Sequence, residues 1–514
     1  MKTKFLLLAS VITLNIFAQS GSLDNTFGIN GIVNNISIGS VDDRASSLAV
    51  QPDGKILVAG YSNNGANADF AIVRHNSDGS LDDTFGIDGI VTTTIGIGND
   101  YPQSIALQSD GKIVVAGYSI IGTNYDFVLV RYNSDGSLDN TFDTDGRVTT
   151  DIVTKHDFAT SVVLQSDGKI VMAGYSGTGA NFDFALLRYN SDGSLDNTFD
   201  TDGIVTTHLG MGLDYANSVA LQSDGKIIVA GSFYNGTNTD FAIVRYNSDG
   251  SLDNTFETDG IVTTTIGSAN DIANSVALQS DGKIVVAGGA FIGTNTDFAL
   301  VRYNSDGSLD NTFDTDGIVT TTIVIGYDIA KSVAVQADEK IVVAGFFNNG
   351  TNNDFAIARY NSNGSLDNTF DTDGIVTTDI GSFGAFANAI VLQSDGKIIV
   401  AGYWYFINRG QNNFVLVRYN NDVNSGISDN VEENNGELTL YPNPAKERIN
   451  FVTTANGKNT LTIYNAVGQI VKQVLTTTQQ TSLTISDMPN GIYFCELKNG
   501  DGMMMERKKF IVDK

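Results

Sequence analysis

The run Asp-Gly-Lys-Ile begins at Asp53, Asp110, Asp167, Asp224 and Asp281, returns as Asp338-Glu339-Lys340-Ile341, and begins again at Asp395, always 57 residues apart. A spacing that never slips means seven copies of one structural unit, each burying its apolar faces against its neighbours. The chain is therefore an array, and its 514 residues do not divide into independent domains of ordinary size.

Within the unit Ser104 to Thr149, four apolar stretches stand out: 104–107, 113–116, 127–131 and 146–149. They are short, rich in β-branched and aromatic residues and free of a 3.6-residue period, so they read as strands a, b, c and d. Asp110-Gly111 between a and b, and Asp135-Gly136 between c and d, are tight-turn signals. Each unit is then a four-stranded antiparallel meander. Strand b, apolar at successive positions, reads as covered on both sides. Four-stranded sheets repeated radially make a β-propeller, and seven copies make seven blades.

The array's ends agree with a closed ring. A lone strand d occurs first, at Gly31-Ile32-Val33, whereas the last unit has a (389–392), b (397–401) and c (414–418) but no d. An N-terminal strand d completing the seventh blade would cover the exposed edge of its strand c. The expected fold is all-β: a seven-bladed propeller over 19–421, a linker over 422–437 and a small immunoglobulin-like β-sandwich over 438–514. An open solenoid with ragged ends is the alternative.

The units resemble the delta-60 type repeat, a family of β-propeller repeats in secreted bacterial proteins. The matching residues are Leu107 to Gly117, Asp297 to Asn304 and the Ser-Leu-Asp-Asn-Thr-Phe run at Ser137 to Phe142, repeated over about residues 22–420. The resemblance implies a fold and carries no activity.

Residues 1–18 combine a basic start, Lys2 and Lys4, with an apolar run to Ala18, the pattern of a cleaved secretory signal. That run is short for a membrane span and no later stretch approaches about 20 apolar residues, so no transmembrane segment is expected in the mature chain. The only cysteine, Cys495, lies in an apolar strand-like run and reads as a buried thiol. After Asn421 the chain turns polar and acidic, the composition of a linker. Beyond it, apolar stretches at 438–441, 448–453, 461–464, 482–485, 492–497 and 509–512 suit the sandwich.

This end closely resembles the C-terminal sorting domain of type IX secretion, found in the Bacteroidetes group. The match rests on Pro442, Asn443 and Pro444 after Leu440-Tyr441, on Gly468 in Asn465 to Val471, on Gly491 and Tyr493 after Met488-Pro489-Asn490, and on Lys508 and Lys509 before the closing Lys514. The resemblance implies two partners, the outer-membrane translocon and a sortase-like peptidase cutting in the preceding linker, and a cargo released or attached at the cell surface.

Residues 440–514 hold nine basic and six acidic residues; apart from Lys2 and Lys4, the rest of the chain holds 19 basic and 52 acidic. Such a field repels nucleic acid and anionic polymers. The acidic residues recur in the c–d connections, where clustered oxygens offer ligands of the kind calcium takes, although the spacing departs from the EF-hand pattern and Asp and Gly belong in turns for backbone reasons. No cofactor is expected, calcium being the one alternative.

Antiparallel strands put the a–b and c–d connections on one face and the b–c and d–a connections on the other. The first face is nearly invariant between copies. The second varies and carries aromatic residues: Tyr118, Phe233, Tyr234, Phe291 and Phe347, and in the last unit Tyr403, Trp404, Tyr405 and Phe406 with Arg409. Loops on a rigid scaffold carry recognition, so these are the candidate ligand-binding residues; drift in unconstrained loops, or packing at the ring seam, gives the same pattern. No nucleophile with a base, and no metal cluster, is legible: His75, His156 and His208 stand at non-equivalent positions. The expected function is an exported, non-catalytic binding module for a glycan, polysaccharide or protein. The alternatives are a carbohydrate-active enzyme using carboxylates on the variable face and a purely structural surface protein.

Overall fold

The computed structural model describes residues 19–421, save 37, 40, 153, 154, 325, 382, 383 and 407–409, and residues 438–512, save 442–444, 454–457, 466–469, 487, 490 and 500–503. The chain divides into two compact units, Met1–Val423 and Asn424–Lys514.

The first unit is seven four-stranded antiparallel sheets. The second blade is representative, with strand a at Asp100–Leu107, b at Ile113–Ile121, c at Asn124–Tyr132 and d at Arg147–Thr150. Strand b is buried from Ile113 to Gly117, as its unbroken apolar run demands. The apolar clusters lie between adjacent blades: Val114, Leu129 and Phe142 of the second pack with Val162, Met172 and Leu187 of the third.

Strand a carries a β-bulge at the same place in every blade, between Pro102 and Ser104 in the second and between Ala330 and Ser332 in the sixth. The bulge brings strand a close over the glycine that ends the Val-Val-Ala-Gly run. A Cβ on Gly117 would lie 2.2 Å from the Tyr101 carbonyl oxygen and 2.7 Å from Pro102 Cα, so only glycine fits there.

The bulges also join blade to blade. Ser104 Oγ accepts the Val162 amide, and Thr160, Asn217 and Asn274, each the extra residue of its bulge, donate to the carbonyls of Ala216, Ala273 and Ala330 in the next blade. Asn388 continues the series by donating to Ala45, which joins the seventh blade to the first. The ring is closed.

The seventh sheet is completed as expected, with Ile32–Ile36 pairing antiparallel on Gln411–Tyr419. Asp24, ahead of it, bonds Lys397 and Arg418 at 2.7 Å each, the arrangement Asp139 makes with Lys112 and Arg131 inside the second blade. The arginine–aspartate pairs are buried, and each arginine also lies over a phenylalanine, Arg131 at 4.3 Å from the Phe142 ring and Arg418 at 4.5 Å from Phe27. Each strand c thus ends in a clamp of arginine, aspartate and aromatic ring.

The second unit is a three-stranded sheet (438–441, 448–453, 480–484) and a four-stranded sheet (470–476, 459–465, 491–498, 504–512). Its core includes Leu438, Phe451, Ile463, Leu497 and Phe510. Strand Ile470–Thr476 was not among the expected ones; the polar pair Lys472-Gln473 interrupts its apolar residues, and it forms an edge of its sheet. Cys495 is fully buried with its Sγ toward the Lys508 carbonyl, the structural thiol expected. Tyr493 stacks on Phe510 and donates to the Pro489 carbonyl at 2.9 Å, and Gly491 opens its strand. Pro442, Asn443, Pro444, Gly468 and Lys514, and the side chain of Lys509, lie outside the described residues, as do residues 1–18 and 422–437.

Candidate binding face

Strands a and b run several residues beyond their expected ends, so most of the variable residues stand on strands rather than in loops. In the second blade the b–c turn is only Gly122-Thr123, and Tyr118 pairs with Tyr101 on one side and Phe127 on the other. The physical reason is cross-strand pairing of large side chains, which extends a hairpin through polar and aromatic positions alike.

This register builds a belt of rings around one face. The paired positions on strands a and b are Arg44 and Tyr61, Tyr101 and Tyr118, Phe158 and Tyr175, Tyr215 and Ser232, Ile272 and Gly289, Ile329 and Phe346, Phe386 and Tyr403. Tyr61 meets Tyr101 edge-on at 5.1 Å, Tyr118 meets Phe158 at 4.9 Å, and Tyr175 meets Tyr215 at 4.8 Å. On the other side Phe346 meets Phe386 at 4.9 Å, Phe386 stacks on Tyr403 at 5.0 Å, and the Arg44 guanidinium lies 4.9 Å from Tyr403. Burial pushes the Tyr175 hydroxyl up to about 12. The belt breaks at Ser232 and Gly289, and beside the break is a cavity of about 520 Å³ lined by Asn270, Phe291, Asn295, Tyr327 and Lys331 among others.

The candidate residues divide accordingly. Tyr118 and Tyr403 belong to the belt; Phe233 packs on the core between the third and fourth blades, and Phe347 is buried between the fifth and sixth. Tyr234 and Tyr405 are half-buried on their strands, and Phe291 lines the cavity. Trp404 donates its indole N–H to the Asn34 carbonyl of the closing strand at 2.9 Å and packs on the neighbouring core, which places it at the seam. Arg409 and the side chain of Phe406 lie outside the described residues. Of the cavity residues named, Phe291 was expected, whereas Asn270, Asn295, Tyr327 and Lys331 were not; aligning the bulge position across copies is the signal that finds Lys331.

The c–d carboxylates named for calcium are already engaged. Asp135 accepts from Ser137 in a turn, and Asp139 from Thr141, Lys112 and Arg131. Burial pushes the Asp139 carboxyl up, but these donors overcome it and hold it well below the usual range. Among the described residues, groups with three metal-type ligands occur on the opposite face: Asp126 with Asp151 and Asp157, and Asp183 with His208 and Asp214. In the first, burial and the two neighbouring carboxylates raise Asp126 to about 6. In the second, His208 bonds Asp183 at 2.7 Å, which raises the imidazole. Asp157 and Asp214 also cap their d–a loops, accepting the amides of Ile152 and Gly210.

No helix of the described residues is long and apolar enough to cross a membrane. The model of the DUF5122 β-propeller, a domain of unknown function, matches at 51–85, 108–142, 165–199, 222–256, 279–313, 336–370 and 393–422. The model of the secretion system C-terminal sorting domain matches 439–513. A search of curated proteins matches none. Similar solved structures include PorZ, a surface component of the type IX secretion system of Porphyromonas gingivalis (11% identity, TM-score 0.42, covering 93% of this chain and 60% of that one). A fungal alcohol oxidase of the AA5 family (13%, 0.41, 93% and 98%) and the polysaccharide lyase Uly1 (11%, 0.44, 76% and 92%) are others. This chain thus spans well under two thirds of PorZ, and likenesses this distant carry no activity across. The family matches do carry the architecture and the destination: the chain carries seven repeats of the DUF5122 β-propeller domain and a type IX sorting domain that directs it to secretion and the cell surface.

Proposed function

We propose that the protein works at the cell surface as a non-catalytic binding module, and that the face carrying the b–c and d–a turns is the face that binds. The observation that supports this reading is an asymmetry within the repeats. The clamp of Arg, Asp and Phe and the c–d turns recur from blade to blade, while the opposite face differs copy by copy and is open at the break in its aromatic belt. A rigid ring with one individualised face suits recognition of a glycan or a protein. In this reading residues 1–18 are the export signal, and the sorting domain engages the translocon and is cut from the propeller by a sortase-like peptidase within 421–439. Tyr327, 51% exposed at the cavity, is a better reporter than the seam residue Trp404. The test is binding of the purified exported protein to an array of glycans and polymers, with and without calcium. A ligand whose binding is weakened about tenfold or more in Tyr327→Ala, at unchanged melting temperature, is expected; an array blank in both conditions, together with no protein retained from the host surface, would sink the proposal.

A further inference from the structure

The bulge of strand a places one extra side chain per blade on the inner strands: Ser46, Gln103, Thr160, Asn217, Asn274, Lys331 and Asn388. Six are uncharged, and four of them, Thr160, Asn217, Asn274 and Asn388, donate to the next blade. Lys331 is the exception. Its ammonium makes no hydrogen bond or ion pair among the described residues, although the chain holds 58 acidic residues against 30 basic ones. Among the described residues the sixth blade makes no such joining bond at this position and holds a cation there. Burial lowers the Lys331 amine, with no neighbouring carboxylate offsetting the effect.

The lysine lines the cavity beside the belt's break. Gly289, at the position of the belt's Tyr and Phe residues on strand b, leaves this part of the face without a ring. The other walls are of two kinds. Phe291 and Tyr327 offer aromatic faces, and Asn270 and Asn295 offer amides, that of Asn295 making no side-chain bond among the described residues. A cavity of about 520 Å³ is the size for one or two sugar rings, within the range of small-molecule sites of about 300–1,000 Å³. The strongly negative chain works against a dense polyanion, but screening over about 8 Å at physiological salt leaves a single local charge pairing intact.

We infer that this cavity between the fifth and sixth blades binds one acidic sugar at the end of an otherwise neutral glycan, its anionic group on Lys331 Nζ, its ring against Tyr327 and Phe291 and its hydroxyls at Asn270 and Asn295. The inference rests on the reading of this face as the binding face and adds the class of ligand. The anion can be a carboxylate or a sulfate ester, which Lys331 would recognise by the same charge-assisted hydrogen bond.

The test uses calorimetric titration of the exported protein with a neutral trisaccharide, the same trisaccharide capped by glucuronic acid, and the same capped by a 6-sulfated glucose. At least one capped probe is expected to bind, the neutral parent about tenfold or more weakly. Lys331→Asn installs the residue that blades four, five and seven carry, so it is expected to keep or raise the melting temperature while losing the capped probe by a similar factor; Lys331→Gln, matching Gln103, serves if the Asn variant does not fold. Equal affinity for capped and neutral probes, undiminished binding in the lysine variant, or no binding of either capped probe overturns the inference. Neutral glycans or proteins retained by this face in the array experiment would leave the broader binding reading standing while this one fell.

Discussion

Single residues that depart from the repeat are the informative ones, because the other copies show what the position normally does. Strand c usually ends in a tyrosine whose hydroxyl meets a threonine of the preceding blade, as Tyr189 meets Thr150 and Tyr246 meets Thr207. In the first blade the residue is His75, and the facing position on the closing strand is Ile36, which offers no hydroxyl. The imidazole is fully buried, donates Nδ1–H to the Gly79 carbonyl at 3.0 Å and leaves Nε2 with no partner among the described residues. Burial lowers it from 6.5 to about 4. Between those values the unfolded chain takes up a proton that the folded one refuses, so this contribution is complete above pH 6.5 and is lost as the pH falls toward 4. Asp126 and Asp328, raised to about 6 by burial, work in the opposite sense, which makes a difference measurement necessary. Chemical denaturation at pH 7 and pH 4 is expected to show the unsubstituted protein losing on the order of 3 kcal/mol more than His75→Phe. Equal losses would mean that His75 is protonated in the fold.

Among the elements, the closing strand joins the two ends of the ring. Residues 19–36 contribute Phe27, Val33 and Ile36 to the core between the seventh and first blades and the carboxylate that neutralises Arg418 and Lys397. Their removal bares an edge and strands a buried guanidinium, each a costly exposure. A chain lacking residues 19–36 is expected to melt well below the intact protein and to aggregate on heating, as followed by calorimetry with light scattering. Unchanged melting and solubility would mean that Asn388 and the inner strands hold the ring without it.

The whole molecule joins a propeller ring to a sorting domain, and the two have separate cores. Deleting 424–514 is accordingly expected to leave the propeller's melting temperature within about 1–2 °C of its value while the protein accumulates in the periplasm, as read by cell fractionation. Surface display of the truncated chain would show that the address lies elsewhere.

The array, its closure and the destination were legible in the residues because each rests on a pattern that repeats or stands in a fixed order: the 57-residue period, the unpaired strand d at Ile32 and the motif around Tyr493. Turns were legible as well, since Asp-Gly carries its own backbone preference. The face was not. Its residues look like variable loops in one dimension, and Trp404 stands out by rarity alone. Pairing across strands turns Tyr61, Tyr118 and Tyr175 into parts of one belt, draws Trp404 onto the closing strand and leaves Lys331 beside an open cavity with no partner among the described residues. Local patterns specify which elements form, because turn preference and strand alternation act over a few residues; which side chains share a site depends on contacts between elements distant in the chain, and those exist only once the ring has closed.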